Sequence, residues 1–480
     1  MQILVFKFCL TVAIVANSVL LFSQMNQQNT KQELCIELKN YIEQGIKFIE
    51  GNQIQITKYG EFYKGEWPTT MQMDKSFFYL GGKKKKAFDS NCFSITGTHN
   101  ALAEIYLMYP EYENIPHVLH LAFEKILTYK KGDYFNFWNL LPPTRKLQRG
   151  DLIGEQPMTR RPTNFPLKRK YIHNAANITE DADDTSFGYL AMAMNRKIFG
   201  NSAVNGLLQS PKRLAPIFSK YRDLNRSNRH WFNHLRGNDH ETGAFLTWFG
   251  EENHFKKWNI LKATYHNGIW FHKSSQCYPH PYTPYIPYGT NDLDAVVNAD
   301  ILSSLAYNGE LASPAIDAAV NYIEYKSSKN QDEIGIYYPN RFHFAYAVSE
   351  AYANGITELD SAMDNLIDFV IESQNSDGSF ASRSRLNKKD PIQSTAYALN
   401  TLVNYGNFED EKIILVIEHA MQYLFKNSIN NKKEIHWEGG VFFSGGTVNR
   451  NTLVWKSDAY TTAIILKAFA KYKNQLEQLH

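Results

Sequence analysis

Three aspartates stand within four consecutive positions, at Asp181, Asp183 and Asp184, directly before an apolar segment that continues to Met194. Aspartate favours a helix N-terminus, because its side-chain oxygens accept free backbone N–H groups. One cap requires one aspartate, and crowding three carboxylates raises their pKa values, although a helix N-terminus acts in the opposite direction. We therefore predict that one of these residues retains a proton and acts as a general acid. A capped helix start with solvated acids is the simpler alternative.

The composition is that of a large globular protein without a dominant charge. The chain has 480 residues, of which 43% are hydrophobic, and a formal net charge of +3. It can therefore bury a large core, and nothing in its charge indicates a nucleic-acid partner. The cysteines are too few and too scattered for a disulfide framework, so most are expected to be free thiols. They are Cys9, Cys35, Cys92 and Cys277.

Residues 1–24 form an apolar leader that contains one lysine. This pattern is typical of a secretory signal peptide, with cleavage after Ser23. A retained membrane anchor is the alternative, because the apolar run is longer than a minimal signal core yet short for a bilayer span. We therefore predict a secreted or periplasmic protein, either cleaved or anchored through residues 1–24.

Apolar residues recur at helical spacing along the rest of the chain, in two alternating kinds of segment. Segments of the first kind are apolar on one face, as surface helices are. They are residues 33–50, 115–129, 211–223, 314–326, 359–373 and 411–426. Segments of the second kind are apolar nearly all round and rich in small residues, which suits helices packed on every side. They are residues 92–108, 183–196, 293–306, 342–354, 391–405 and 457–472.

Six outer and six inner helices predict an all-α protein, an (α/α)6 toroid with a central cavity. One domain would extend over residues 33–476, with inserts at about 134–174 and 225–290 placed to cover the cavity. The second insert contains alternating segments, including residues 243–249, that are consistent with short strands.

A short signature recurs between the members of these helix pairs. It is clearest in the fifth pair, where Phe369 and Val370 are followed by Gln374, Gly378 and Phe380. We predict that the aromatic residue of each signature packs against the end of the preceding helix. Related Gly-x-aromatic sequences follow three other outer helices, at residues 65–67, 335–337 and 440–442.

The signature around Gln374 resembles the repeat of squalene-hopene and oxidosqualene cyclases, with Phe where that family usually has Trp. Residues 181–185, Asp-Ala-Asp-Asp-Thr, resemble the Asp-x-Asp-Asp-Thr acid motif of class II terpene cyclases. The resemblance implies that Asp183 protonates an alkene or epoxide of a linear isoprenoid, while Asp181 and Asp184 hold and tune it. It also implies cyclisation in a central apolar cavity, with an apolar small-molecule substrate and no cofactor.

In a toroid all inner helices begin at the same end, so that their first residues converge near the acidic stretch. We therefore expect the starts of the other inner helices to contact the substrate. The candidates are Asp292, Asp294, Asn298, His343, Tyr397, Asp458 and Tyr460.

A metal site is not favoured by the sequence. Protein prenyltransferase β subunits share the toroid and hold zinc through Asp-x-Cys and a distant His, but residues 292–294 read Asp-Leu-Asp. His272, Cys277 and His280 have ligand types at tolerable spacing, yet their Pro- and Tyr-rich surroundings favour a rigid loop.

Two functions of other classes remain open. Secreted toroids also serve as glycosidases and polysaccharide lyases, and Asp183 with Asp292 or Asp294 could form the required carboxylate pair. The insert tryptophans could stack on sugar rings in such an enzyme: Trp231, Trp248, Trp258 and Trp270. A non-catalytic toroid that binds a lipid or a partner protein is the third reading, because a fold does not determine a function.

Overall fold

The computed structural model describes twelve parts of the chain, and every structural statement below concerns these residues. They are residues 31–58, 61–73, 86–141, 158–163, 177–200, 213–224, 241–250, 286, 291–382, 390–431, 433–445 and 453–478. The leader, most of both predicted inserts and three of the insert tryptophans, Trp231, Trp258 and Trp270, lie outside them.

Twelve α-helices in the described residues alternate between outer and inner positions. The outer helices are α1 (31–52), α3 (Ile115–Leu127), α5 (Ala215–Ser219), α7 (Pro314–Ser327), α9 (Asp360–Glu372) and α11 (Glu411–Lys426). The inner helices are α2 (Cys92–Met108), α4 (Ala182–Phe199), α6 (Ala295–Tyr307), α8 (His343–Ala353), α10 (Pro391–Tyr405) and α12 (Asp458–Gln478). Short 3-10 turns are found at Gln331–Glu333 and Thr357–Leu359. The predicted alternation of helices is confirmed.

Helix α5 is much shorter than the segment 211–223 that the periodicity predicted. Backbone groups after Ser219 bond to another segment instead of continuing the helix. The N–H of Asp223 donates to Ala244 O at 2.9 Å, and Tyr221 O accepts from Leu246 at 2.9 Å. This long-range pairing outweighs the local helical pattern.

The inner helices form a closed ring. Each contacts the next in chain order, and α12 returns to contact α2. Small residues allow the helices to approach closely: a methyl group added at Gly97 of α2 would lie 2.5 Å from the ring of Tyr460 on α12. The outer helices pack around this ring, so each inner helix is buried on nearly every side.

The glutamine of the repeat signature joins consecutive outer helices. Gln374 Nε2 donates to Gly378 O at 3.2 Å and to Val416 O of α11 at 2.8 Å. Gln53 Nε2 likewise donates to Gly65 O at 3.1 Å and to Val118 O of α3 at 2.9 Å. Both glycines have positive φ, and a Cβ there would lie 2.1–2.2 Å from a carbonyl oxygen of the next outer helix. The signature therefore requires glycine for both its conformation and its close approach.

The aromatic residue of the signature binds the end of the preceding outer helix in two pairs. Trp67 Nε1 donates to Ile49 O of α1 at 2.8 Å. In the sixth pair Trp437 Nε1 donates to Leu424 O of α11 at 2.8 Å. The sequence had placed this role at Phe442, which is wrong, because the chain is already extended there and enters a strand.

A four-stranded antiparallel sheet, which the helical pattern did not predict, is formed by strands from two distant parts of the chain. Its strands are β1 (Thr70–Met73), β2 (Lys86–Phe88), β11 (Val441–Gly445) and β12 (Leu453–Lys456), in the order β11-β12-β1-β2. Trp455 lies opposite both Met71 and Phe443 in the register. Phe443 in turn contacts Phe93 at the start of α2, with ring centroids 5.9 Å apart. The sheet therefore lies against the end of the ring where the inner helices begin.

The remaining strands of the described residues form two-residue pairs. They are β3 (Lys130–Lys131) with β4 (Tyr134–Phe135), β5 (Leu140–Leu141) with β6 (Thr159–Arg160), β7 (Glu180–Asp181) with β8 (Trp248–Phe249), and β9 (Ile429–Asn430) with β10 (Ile435–His436). Strand β8 confirms the predicted strand content of the second insert. The protein is thus mostly helical, while the strict all-α prediction is too narrow.

Two further predictions can be compared with the described residues. Cys35 and Cys92 are free thiols, as expected, whereas Cys9 and Cys277 lie outside the described ranges. None of the helices in these ranges is both long enough and apolar enough to cross a membrane.

Candidate functional site

The acidic stretch begins helix α4, and all three of its aspartates are buried. Asp181 is the N-cap: its backbone is extended and its Oδ1 accepts from Asp184 N at 2.8 Å. Asp183 and Asp184 lie in the first turn, with exposed fractions of only 5% and 1%. Capping therefore accounts for Asp181 alone, and the alternative of solvated acids is wrong.

Asp183 is paired with side chains from two other parts of the ring. The Tyr338 hydroxyl donates to Asp183 Oδ2. The carboxyl group of Asp300, on α6, lies within hydrogen-bonding reach of Asp183. Two carboxylates have no hydrogen to share, so this contact is a hydrogen bond only when one of the two groups is protonated. In the described residues no N–H or O–H group donates to Asp183 Oδ1 or Asp300 Oδ2.

Burial is the main cause of the high pKa values in this acid cluster, which we define as Asp181, Asp183, Asp184 and Asp300. Burial and then the neighbouring carboxylates raise the pKa of Asp183, Asp184 and Asp300 well above their usual range. The pKa of Asp181 is raised by burial to about 7. The ion pairs of the described residues include none of the four groups. Because no cation of the described residues pairs with the cluster, its raised pKa values favour protonated carboxyl groups at neutral pH.

A buried thiol group lies beside the Asp184 carboxyl group. Cys92, the first residue of α2, is buried and forms a side-chain hydrogen bond with the Asp184 carboxyl group. Burial, followed by the charges of Asp184 and Asp181, raises the pKa of this thiol well above its ordinary value. Cys92 is therefore a neutral donor to the cluster and not a nucleophile.

Aromatic rings fill the space at this end of the inner-helix ring. The Phe93 ring centroid lies 5.2 Å from Phe187, 5.9 Å from Tyr338 and 5.6 Å from Phe442. Phe443 packs on the same ring from the sheet, as described above. These rings exclude water from the acid cluster, and their faces can stabilise a nearby cation.

Three of the predicted substrate contacts lie together beside these rings. The His343 ring is 4.5 Å from Tyr338 and 4.4 Å from Tyr397, between centroids. The hydroxyls of Tyr397 and Tyr460 lie 3.2 Å apart. Burial lowers the pKa of His343 to about 3, so its imidazole is neutral at physiological pH.

Two other predicted contacts are bonded to the backbone. Asp294 is the N-cap of α6 and accepts from Val296 N at 2.8 Å. Asn298 binds both backbone groups of Phe245: its Oδ1 accepts from the N–H at 2.9 Å, and its Nδ2 donates to the carbonyl at 3.0 Å. Asn298 thus joins α6 to the segment before β8, whereas Asp294 caps α6 and also accepts from Ile336 N.

The last two predicted contacts also have partners away from the acid cluster. Asp292 accepts from the Tyr337 hydroxyl at 2.7 Å and from Trp248 Nε1 at 3.4 Å. Trp248, the insert tryptophan within the described residues, is therefore buried among protein groups and does not offer its face to a sugar. Asp458 is exposed and accepts from Gly439 N at 2.7 Å.

Sequence reasoning missed Asp300 and Tyr338, the two closest partners of Asp183. Asp300 is the only charged residue of α6, and a lone carboxylate in an uncharged inner helix was a usable signal. Tyr338 directly follows the Gly-x-aromatic residues 335–337, but nothing in the sequence indicates that its side chain turns towards α4. Only the ring brings these residues to Asp183.

One cavity within the ring is lined by described residues, and it differs from the apolar chamber that the resemblance implied. It has a volume of about 30 Å3 and is lined by charged as well as apolar side chains, including Asp300, Glu350 and Lys467. Such a volume admits roughly one or two water molecules. This small cavity among the described residues is therefore not the apolar chamber, and the chamber that the resemblance implied stays a prediction.

Those ion pairs lie further along the inner helices and form what we call the ion cluster: Glu104, Glu350, Lys467 and Lys471. Lys467 Nζ lies 2.9 Å from Glu350 and 3.6 Å from Glu104. Lys471 Nζ lies 2.9 Å from Glu104 and 3.4 Å from Glu350. Each carboxylate therefore meets two ammonium groups.

No combination of His, Cys, Asp and Glu in the described residues could hold a metal ion. The sequence candidates His272, Cys277 and His280 lie outside the described ranges.

Comparison with known proteins identifies the fold. The sequence matches no protein-family profile and no curated protein. Among solved structures, type II terpene cyclase MstE from Scytonema with its product merosterolic acid A has a TM-score of 0.52 at 11% identity, covering 92% of this chain and 99% of the cyclase. A complex of MstE with its substrate geranylgeranyl dihydroxybenzoate gives 0.51 at 11% identity, with the same coverage of 92% and 99%.

A carbohydrate enzyme is equally similar. Cellobiose 2-epimerase from Bacillus thermoamylovorans has a TM-score of 0.51 at 11% identity, covering 92% of this chain and 100% of the epimerase. At such identities the similarity concerns the fold, which is that of the (α/α)6 toroids. The reaction must be argued from the acid cluster itself.

Proposed function

We propose that this protein is a cyclase-like enzyme that starts its reaction by protonating an alkene or epoxide of a linear isoprenoid. The observation that carries the proposal is the carboxyl pair of Asp183 and Asp300, which is buried, has raised pKa values and lies beside aromatic rings. A carboxyl group that remains protonated at neutral pH is a general acid that is ready to act.

The geometry supports an assignment of roles to the two oxygens of Asp183. Tyr338 donates to Oδ2 and fixes the orientation of the carboxyl group. In the described part of the chain Oδ1 accepts no hydrogen bond, and we assign to it the proton that is transferred. In the proposed step the Oδ1–H bond breaks as a C–H bond forms on the alkene, which leaves a carbocation and an Asp183 carboxylate. The next double bond attacks the cation, and loss of a proton from the cyclised cation to Asp183 restores the acid.

Aromatic rings supply the second requirement of this chemistry. Phe93, Phe187 and Phe442 lie together beside Tyr338, and ring faces stabilise cations by roughly 0.5–2 kcal/mol each. Because these rings pack together beside Tyr338, the partner of Asp183, we propose that a substrate displaces Phe93, Phe442 or Phe443 to reach Asp183. Substrate binding is therefore expected to change the rotamers of these residues.

The test is incubation of the protein with a pool of linear polyprenyl alkenes and epoxides and, separately, with a pool of oligosaccharides, followed by mass spectrometry of the products. Asp183→Asn should lower cyclisation by about a thousandfold, the range of general acid catalysis, with an unchanged circular dichroism spectrum. The matched control is Asp317→Asn, an exposed aspartate of α7, which should retain full activity. Cyclisation that persists in Asp183→Asn, or sugar turnover that depends on Asp183, would overturn the proposal.

The cellular location of the protein is proposed from the leader alone. A secreted or periplasmic protein, with or without a membrane anchor, follows from residues 1–24. Sequencing of the natural protein from the soluble and membrane fractions tests this. A soluble form that begins near residue 24 supports cleavage, a membrane form that retains residues 1–24 supports an anchor, and a cytosolic form overturns both.

A further inference from the structure

A basic cleft lies outside the inner-helix ring. It is formed by the loop after α1, the end of α3 and the strand pair β5–β6, and has a volume of about 670 Å3. None of the acid cluster lines it, so it is a separate site. Among the described residues its lining includes one carboxylate, Glu124, and five cations: Lys64, Lys125, Lys130, Lys131 and Arg160.

Arg160 is the most informative of these cations, because it is buried and one of its N–H groups lacks an acceptor among the described residues. Its exposed fraction is 2%, and its Nη2 donates to Glu180 at 2.6 Å. Its Nη1 has no hydrogen-bond acceptor in the part of the chain that is described. Buried guanidinium N–H groups normally find an acceptor, because leaving one unpaired is unfavourable. An oxyanion in the cleft would supply the missing acceptor.

Lys125 is also incompletely neutralised. Its ammonium lies 4.2 Å from the ring centroid of Tyr63 and 4.7 Å from that of Tyr129. The carboxylate nearest to it, Glu66, is 3.9 Å away. When the Asn139 side-chain amide is oriented so that both its oxygen and its nitrogen have hydrogen-bond partners, its oxygen accepts from Lys125 Nζ at 2.9 Å. Burial lowers the pKa of Lys125, and a bound anion would favour its charged form.

We propose that this cleft binds the phosphoryl group of a small organic phosphate, with Arg160 and Lys125 at its floor and the exposed Lys64 and Lys131 at its mouth. A phosphoryl group accepts several charge-assisted hydrogen bonds at once, which matches a forked guanidinium flanked by ammonium groups. The volume is that of a small-molecule site, which typically lies between about 300 and 1,000 Å3. The face of Trp138 and the two tyrosine rings can pack against the organic part.

The same phosphoryl chemistry is available from a phospholipid headgroup, so the experiment has two arms. In the first, pyrophosphate is titrated by calorimetry at constant ionic strength. The variant Lys64→Gln/Lys131→Gln removes the two exposed lysines of the mouth and should weaken binding at least about tenfold. The matched control Lys412→Gln/Lys433→Gln removes two exposed lysines that do not line the cleft, and should bind as the wild type does.

Arg160→Lys provides a second variant that retains the charge beside Glu180. It loses the fork of the guanidinium and should also bind pyrophosphate more weakly. Equal affinity in wild type and the Lys64/Lys131 variant would overturn the proposal. So would binding of malonate as tight as that of pyrophosphate, because the cleft would then select charge and not a phosphoryl group.

The second arm is flotation with vesicles of phosphatidylcholine containing phosphatidic acid, compared with phosphatidylcholine alone. Flotation that requires phosphatidic acid and is lost in the Lys64/Lys131 variant supports the proposal and identifies a lipid headgroup as the source. Pyrophosphate binding without flotation supports it with a soluble phosphate as the source. Failure of both probes to bind would overturn it.

Discussion

The acid cluster and the ion cluster both consist of charged residues buried within the inner-helix ring, but their compositions differ. Four carboxyl groups stand together at the start of the ring, and the described ion pairs include none of them. Further along the same helices, two glutamates stand with two lysines. Among the described residues, the acid cluster has no counter-charge, whereas the ion cluster has two ammonium groups for its two carboxylates.

This difference decides how each cluster tolerates burial. Burial acts to raise the pKa of Glu350, but Lys467 and Lys471 outweigh it and lower that pKa to about 2. Burial likewise acts to lower the pKa of Lys467, and the two glutamates outweigh it, so the net shift is upward. The ion cluster therefore keeps its charges, whereas the acid cluster keeps its protons. Of the two, the acid cluster is the one that can donate a proton to a substrate.

The largest expected effect comes from removing a cation of the ion cluster. Lys467→Met leaves Glu104 and Glu350 with Lys471 alone, and we expect the free energy of unfolding to fall by about 3–5 kcal/mol in urea denaturation. The control is Lys39→Met, which breaks an exposed pair with Glu43 whose side chains are 57% and 43% exposed, and should cost less than about 0.5 kcal/mol. A loss below about 1 kcal/mol for Lys467→Met would show that the buried pairs are not needed.

The next effect concerns the pH dependence of stability at the acid cluster. Because the folded-state pKa of Asp181 is raised to about 7, its contribution is fully present below pH 4 and is lost as the pH rises through about 7. For Asp181 alone, this shift corresponds to a loss of roughly 4 kcal/mol across this range. Asp181→Asn retains the oxygen that accepts from Asp184 N and should flatten the profile in urea denaturation between pH 4 and pH 8. An unchanged slope in the variant would mean that Asp181 is ionised in the folded protein.

A smaller effect is expected at Asp300, which we regard as a positioning residue for Asp183. Asp300→Asn places a permanent N–H donor beside Asp183, which favours the ionised form of Asp183 and lowers its pKa. The pH at which cyclisation declines should therefore fall by about one unit, while stability at pH 8 should rise, because the folded state no longer has to keep a buried carboxyl group protonated at this position. A pH–rate profile measures the shift, and Asp300→Glu, which retains the carboxyl group, should restore part of the original profile. A pH–rate profile of Asp300→Asn identical to that of the wild type would show that Asp300 does not influence the pKa of Asp183.

The sequence predicted the helical ring because the signals for its helices lie within single segments of the chain. The apolar period, the small residues of the inner helices and the repeated Gln and Gly are all visible within single segments. The sheet was not predicted, because β1 and β12 are short and come from distant parts of the chain. Periodicity within four or five residues cannot identify such partners.

The sequence identified the members of the acid cluster that are neighbours in the chain and missed the partners that are not. Asp181, Asp183 and Asp184 form one visible motif, and His343 follows from the shared orientation of the inner helices. Asp300 and Tyr338 come from other helix pairs, so their approach to Asp183 depends on how the ring closes. The same reasoning placed Asp294 near the substrate, although its acceptors are already used by backbone N–H groups.

Closure of the ring by α12 also has a consequence for the order of folding during synthesis. Glu104 and Glu350 leave the ribosome before Lys467 and Lys471, which are their partners in the ion cluster. Until α12 emerges, α2 and α10 lack the helix that separates them in the ring, and both glutamates would be buried without counter-charges. We therefore expect nascent chains that stop before residue 458 to remain open and sensitive to protease, with the ring forming in one late step.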